Sequence, residues 1–232
     1  MKILAVDTSA VSASVAVTED EKIISLCQTN AGLTHSRTLL PMIDDALQNS
    51  ETDLDSIDFF SVSAGPGSFT GIRIGIAAVK GLCDAKGKRC LPVSTLEGLA
   101  YNLLGQNVLA CCVMDARCKQ VYTALFDIEG EKITRLCDDK AVSIEELGKE
   151  LSQLNKKIVF VGDGAEICHN SLGYDIAPPV LRFQNAASVA FAAKRRYEAD
   201  GKSVSASEVM PVYLRLPQAE RELKAKKAEK KI

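Results

Sequence analysis

The sequence has no tryptophan and only two histidines, and aromatic residues make up 5% of it. Platforms that stack single-stranded nucleic acid are built from such side chains, and no stretch of this chain offers one. His35 and His169 stand far apart, so no histidine pair has metal-ligand spacing. The eight cysteines form no Cys-x-x-Cys pair. Most have apolar neighbours, as in Leu26-Cys27 and Ala110-Cys111-Cys112-Val113. Buried free thiols in a reducing compartment are expected. No apolar run approaches the length of a membrane-crossing helix. The residues after Met1-Lys2 read as a strand of the fold rather than as an export signal, so a cytoplasmic protein with no membrane partner is expected. There is no Gly-x-x-x-x-Gly-Lys-Ser/Thr loop, Gly-x-Ser-x-Gly elbow or His-Glu-x-x-His helix. P-loop NTPases, nucleophile-elbow hydrolases and zinc peptidases of that motif are thereby set aside.

What is present describes a globular chain of 232 residues, 47% hydrophobic, with a net charge of −2. That length suits one large domain or two small ones. The charge is uneven: residues 215–232 carry a net +4 and the remainder about −6. A basic tail can touch RNA, although such a terminus is more often simply solvated.

One stretch stands out, Ser63-Ala64-Gly65-Pro66-Gly67-Ser68-Phe69-Thr70-Gly71-Ile72-Arg73-Ile74-Gly75. An apolar run from Ile57 to Val62 predicts a buried strand. Gly-Pro-Gly then predicts a tight turn, with Ser68 as the N-cap of a helix whose apolar face is Ile72, Ile76, Val79 and Cys83. Such a turn suits an anion at a helix N-terminus, or serves only as a tight connection.

The chain also states one pattern twice. A buried strand ending in Asp7 turns into Ala13–Val17, and another ending in Asp115 turns into Val121–Phe126. A third strand (22–28 and 132–136) and a helix (38–48 and 143–154) follow each pair. The second half adds a strand at 157–161 running into Gly162-Asp163-Gly164, and a helix at 185–199. Two α/β subdomains of related topology are predicted.

Two helices carry more apolar and small surface than one buried face requires. The first holds Leu39, Leu40, Ile43 and Leu47, and Pro41 suits its first turn, which puts its start near Thr38. The second holds Ile72, Ile76 and Val79, with Gly71 and Gly75 four apart on a neighbouring stripe. Together with His35, these residues are the candidate partner interface. Internal core is the alternative, and it must hold for half of them. Paired with a second copy, such a face would be isologous.

The Asp-terminated hairpins in duplicated halves, with a late Gly turn, resemble the actin/sugar-kinase/Hsp70 ATPase superfold. Val6-Asp7-Thr8-Ser9, His35-Ser36-Arg37-Thr38-Leu39-Leu40-Pro41, Gly65-Pro66-Gly67-Ser68-Phe69-Thr70-Gly71-Ile72-Arg73, Val93-Ser94-Thr95-Leu96, Asp115-Ala116-Arg117 and Pro211-Val212-Tyr213-Leu214-Arg215 resemble the TsaB (YeaZ) family. The resemblance runs through nearly the whole chain and is weakest over 138–181. It implies an N-terminal α/β subdomain (1–104) with the partner-binding helices, a C-terminal one (105–216) and a basic tail (217–232). It further implies a non-catalytic activator of TsaD, the transferase that installs threonylcarbamoyl on the adenosine beside the tRNA anticodon. The ATPase TsaE would be a third partner, the chain alone would be a homodimer or a monomer, and tRNA would be reached through the complex.

In the superfold the two Asp turns grip phosphates and metal, and the late Gly turn lies against adenosine. The matching residues here are Asp7, Ser9, Asp115, Arg117, Gly162 and Gly164. Active members carry Asp-x-Gly-Thr at the hairpins; this chain has Asp7-Thr8-Ser9-Ala10 and Asp115-Ala116-Arg117-Cys118. Without that glycine the cleft reads as vestigial. No cofactor is required, and weak ATP or ADP binding stays open. TsaD carries Val-His-His-Met-Glu-Gly-His where this chain reads Val93-Ser94-Thr95-Leu96-Glu97-Gly98-Leu99. Thr95 and Leu99 thus replace a metal-binding pair, and no metal is expected. The rival reading is an enzyme of the same superfold, either a nucleotide-dependent phosphotransferase or hydrolase or a glycoprotease-like protein.

Overall fold

The computed structural model describes residues 1–215; the basic tail at 217–232 lies outside the described residues. In chain order the first half consists of β1 (Lys2–Asp7), β2 (Ala13–Glu19), β3 (Lys22–Thr29), α1 (His35–Asn49), β4 (Phe59–Gly65), α2 (Phe69–Lys86), β5 (Arg89–Ser94) and α3 (Thr95–Tyr101). The second consists of β6 (Asn107–Asp115), β7 (Gln120–Glu129), β8 (Lys132–Arg135), β9 (Lys140–Ser143), α4 (Ile144–Leu151), β10 (Ile158–Val161), α5 (Ala165–Leu172), β11 (Asp175–Ile176), α6 (Pro179–Arg182) and α7 (Ala186–Asp200).

The duplication read from the sequence is a duplication of topology. One sheet runs β3-β2-β1-β4-β5 and the other β8-β7-β6-β10-β11. In each, the first three strands form an antiparallel meander and the last two join in parallel. Both sheets are covered on both faces. In β1, Leu4 and Val6 face α1 and α2, while Ile3 and Ala5 face α7. In β6, Ala110, Cys112 and Met114 pack with α3, while Leu109, Cys111 and Val113 pack with α4 and α5. Successive side chains point to opposite faces, so a strand buried on both sides reads as an unbroken apolar run. Cys111 and Cys112 are accordingly buried free thiols on opposite faces, whereas Cys118 is exposed.

Several expectations shift. β4 begins at Phe59 rather than Ile57 and absorbs Ser63, Ala64 and Gly65. Its serines are accommodated because Ser61 Oγ donates to the Leu91 carbonyl at 2.7 Å and Ser63 Oγ donates to Asp7. α1 begins at His35, one turn before Thr38, so Pro41 lies inside the helix rather than in its first turn. It stands on the exposed side there. The division at 104 assigns α7 to the second half, yet α7 packs on the first sheet, against Ile3, Ala5, Leu91 and Val93. Among the described residues, no helix is long and apolar enough to cross a membrane.

Candidate functional site

The two Asp-terminated hairpins face each other across a cleft of about 500 Å³. One wall is Ser9–Val11 with Pro66–Thr70; the other is Met114–Arg117 with Asp163. Val212–Arg215 also line it. Ser68 caps α2 as expected, its Oγ accepting from Gly71 N at 3.2 Å. Its own N–H donates to the Ser9 carbonyl at 2.7 Å, which docks the Gly-rich turn on the first hairpin.

Asp7 does not line the cleft. It is 1% exposed, and its Oδ1 accepts from Ser9 N at 2.9 Å and Ser9 Oγ at 2.7 Å. Its Oδ2 accepts from Ser63 Oγ. Burial pushes its pKa up, against the lowering effect of those hydrogen bonds. Both oxygens are thus committed within the first half. The carboxylate therefore faces the interior of the first half, while Ser9 and Ala10 beside it line the cleft. Asp115 is exposed and accepts from Arg117 N at 2.7 Å, closing its own turn. Arg117, Cys118 and Lys119 all have positive φ, a left-handed turn rare for residues other than glycine.

Gly162 and Gly164 are buried behind the cleft rather than lining it. A Cβ at Gly162 would stand 2.0 Å from the Val113 carbonyl oxygen, and one at Gly164 would stand 2.9 Å from Met114 backbone. These glycines let the turn lie against β6. The residue between them, Asp163, was passed over in sequence and does line the cleft. It is half-buried, and Gln184 Nε2 donates to its Oδ1 at 2.7 Å. Desolvation raises its pKa to about 6. Nothing in sequence marked it, because the shift arises from desolvation in the folded cleft wall. Thr95 and Leu99 are 1% exposed, and Leu99 packs in the second core. Among the described residues no group of three or more His, Cys, Asp or Glu could hold a metal.

The raised pKa of Asp163 has a stability consequence. The folded state holds this proton more tightly than the unfolded chain, so stability falls as pH rises from about 4 to about 6. The charged group at neutral pH then costs on the order of 2 kcal/mol. Asp163→Asn keeps the acceptor for Gln184 and removes the charge. Thermal melts should show this variant gaining on the native chain between about pH 4 and about pH 6, and levelling off above that. A difference that stays flat with pH would contradict the assignment.

The candidate interface divides sharply. Leu39, Ile43, Gly71, Ile72, Gly75, Ile76 and Val79 are buried within the first half, and its core includes the five larger of them. That core separates them from any partner surface. A Cβ at Gly71 would lie 2.1 Å from the Thr8 carbonyl oxygen, and one at Gly75 would lie 2.4 Å from Thr8 Oγ1. The glycine stripe therefore seats α2 on the end of β1. His35 is half-buried, with Nε2 2.7 Å from the Ala10 carbonyl oxygen, and Leu47 is half-buried against the same core. Of the ten, Leu40 alone is exposed, at 59%. The small residues that α2 does present outward are Ala77, Gly81 and Ala85. Sequence periodicity could have shown this face, had the small residues been read on the side opposite Ile72, Ile76 and Val79.

The paired sheets of like topology, with a hairpin cleft between them, define a member of the actin-like ATPase superfold. The (R)-2-hydroxyglutaryl-CoA dehydratase component A of Acidaminococcus fermentans shares this fold, at a TM-score of 0.52 and 12% identity over 87% of this chain and all of that one. Residues 29–223 match the family model described as "TsaD: tRNA N6-adenosine threonylcarbamoyltransferase". The Escherichia coli (strain K12) protein named "tRNA threonylcarbamoyladenosine biosynthesis protein TsaB" is 34% identical over 227 residues, 93% of this chain and 95% of that protein. A Pseudomonas aeruginosa crystal structure described as similar to peptidase YEAZ superposes with a TM-score of 0.80 at 25% identity, covering 92% of this chain and 99% of that one. The chain belongs to the TsaB (YeaZ) family.

Proposed function

We propose that this chain is a non-catalytic subunit of the machinery that makes threonylcarbamoyladenosine in tRNA, and that it binds and activates a TsaD-type transferase. The E. coli relative's name and the TsaD family model support the pathway. The observation that carries the non-catalytic part is Asp7, whose two oxygens are spent on Ser9 and Ser63 inside the fold. Catalysis needs groups aimed at the charge that develops in the reaction, and the first turn aims none. TsaE is the third partner in this reading. The outward faces of α1 and α2, around Leu40, Ala77 and Gly81, meet the transferase, or a second copy when the transferase is absent.

The test mixes purified chain with its cognate transferase and measures complex mass and transfer rate. A defined complex whose transfer rate depends on this chain is expected. The chain alone should hydrolyse ATP no faster than a buffer control, with or without divalent metal. One observation favours the rival enzyme reading: Asp163 lines the cleft with a pKa of about 6, suited to a general base. Turnover by the isolated chain that is abolished in Asp163→Asn would establish that reading instead.

A further inference from the structure

Residues 212–215 line the cleft and join its two walls, tied at both ends by polar contacts. On the first half, Val212 N donates to the Ala64 carbonyl at 2.7 Å. The strand end beneath is bare by necessity, since a Cβ at Gly65 would stand 2.5 Å from the Val212 carbonyl oxygen. Tyr213 stacks on Phe69 with ring centroids 4.6 Å apart, and its hydroxyl accepts from Arg73 Nε at 2.8 Å. The Arg73 guanidinium lies 3.8 Å from the Phe69 ring centroid. On the second half, Arg215 Nη1 donates to the Ala116 carbonyl, within the β6–β7 turn.

Burial does not explain this placement. Val212 is 46% exposed and Tyr213 37%, so the hydrophobic gain is partial and the directional contacts set the path. A hydrogen bond from a charged donor is stronger than a neutral one, and Arg215 provides such a bond to the second half. The hairpin turn it reaches is the one held in three successive left-handed residues, a conformation that persists only when its surroundings determine it.

We propose that residues 212–215 form an internal strap that fixes the opening of the cleft, with Tyr213 anchoring it to the first half and Arg215 latching it to the second-half hairpin. The first hairpin's carboxylate is committed internally, so the strap supplies a tie between the cleft walls from the chain itself. This inference does not depend on the partner reading, and its test needs no partner.

Hydrogen–deuterium exchange on the full chain tests it, with amides 116–120 as the readout. Arg215→Ala removes the latch directly and should raise exchange there by about tenfold. Arg73→Ala is the decisive variant, because Arg73 touches Phe69 and the strap's Tyr213 at the first-half anchor, well away from the 116–120 turn. If the strap transmits the tie, Arg73→Ala also raises exchange at 116–120 while β1 and β6 stay protected. Unchanged exchange at 116–120 in Arg73→Ala would overturn the proposal, since Arg215 would then be only a local hairpin contact. A rise spread evenly through both cores would overturn it as well, as general destabilisation.

Discussion

Gly75→Leu is expected to prevent folding, or to lower the melting midpoint by about 10 °C, rather than to remove partner binding from a stable chain. A Cβ at this position would stand 2.4 Å from Thr8 Oγ1, 3.5 Å from Val62 and 3.6 Å from Val6. Thr8 has no room to retreat, because its hydroxyl donates to the Gly71 carbonyl at 2.7 Å and the residue is 1% exposed. Overpacking of this kind costs about 1–3 kcal/mol and occasionally more. Losing the buried Thr8 hydrogen bond adds about 1 kcal/mol. Together these are a large share of the roughly 5–15 kcal/mol that holds a domain folded. Gly81→Ala is the matching control. No atom lies within 4 Å of the added Cβ, and replacing an exposed helical glycine by alanine gains up to about 1 kcal/mol. Circular dichroism melts of the two variants should move in opposite directions. A Gly75→Leu protein that melts like the native chain would mean that α2 does not rest on Thr8.

Leu40→Arg is expected to do the reverse, leaving the melt unchanged while weakening transferase binding by two to three decades, about 3–4 kcal/mol. The side chain is 59% exposed, so the isolated fold loses little when it changes. In an apolar helix contact the introduced guanidinium would be desolvated without a partner, a penalty of several kcal/mol. Isothermal titration against the cognate transferase, beside a thermal melt, reads both quantities. Undiminished affinity would move the partner surface away from α1. The two variants separate core from surface on helices whose sequence did not distinguish them.

Much of the fold was legible in the sequence. The unbroken apolar strands, the Asp-ended hairpins and their repetition all arise from side-chain alternation and turn chemistry, which are local. Ser68, Ser143 and Asn185 cap α2, α4 and α7 through their own side chains, and such caps need only neighbouring residues. The start of α1 was misplaced because proline suits a first turn, yet Pro41 is carried within a helix that begins at His35.

The site was less legible. Asp7 and Asp115 look equivalent in sequence, but the structure buries one and exposes the other. The difference comes from Ser63, fifty-six residues away, which closes over Asp7. Asp163 acquires its raised pKa from desolvation in the cleft wall, and the strap between the cleft walls joins residues about a hundred positions apart.

By itself, then, the sequence determined the strands, the caps, the duplicated topology and the family motifs, because each is written in neighbouring residues or in their period. Which face of α2 is buried, whether a carboxylate meets water, and what joins the cleft walls were decided only in three dimensions. Gly71 and Gly75 show why: a missing side chain permits close approach from any direction, and only the folded chain says that the neighbour is Thr8.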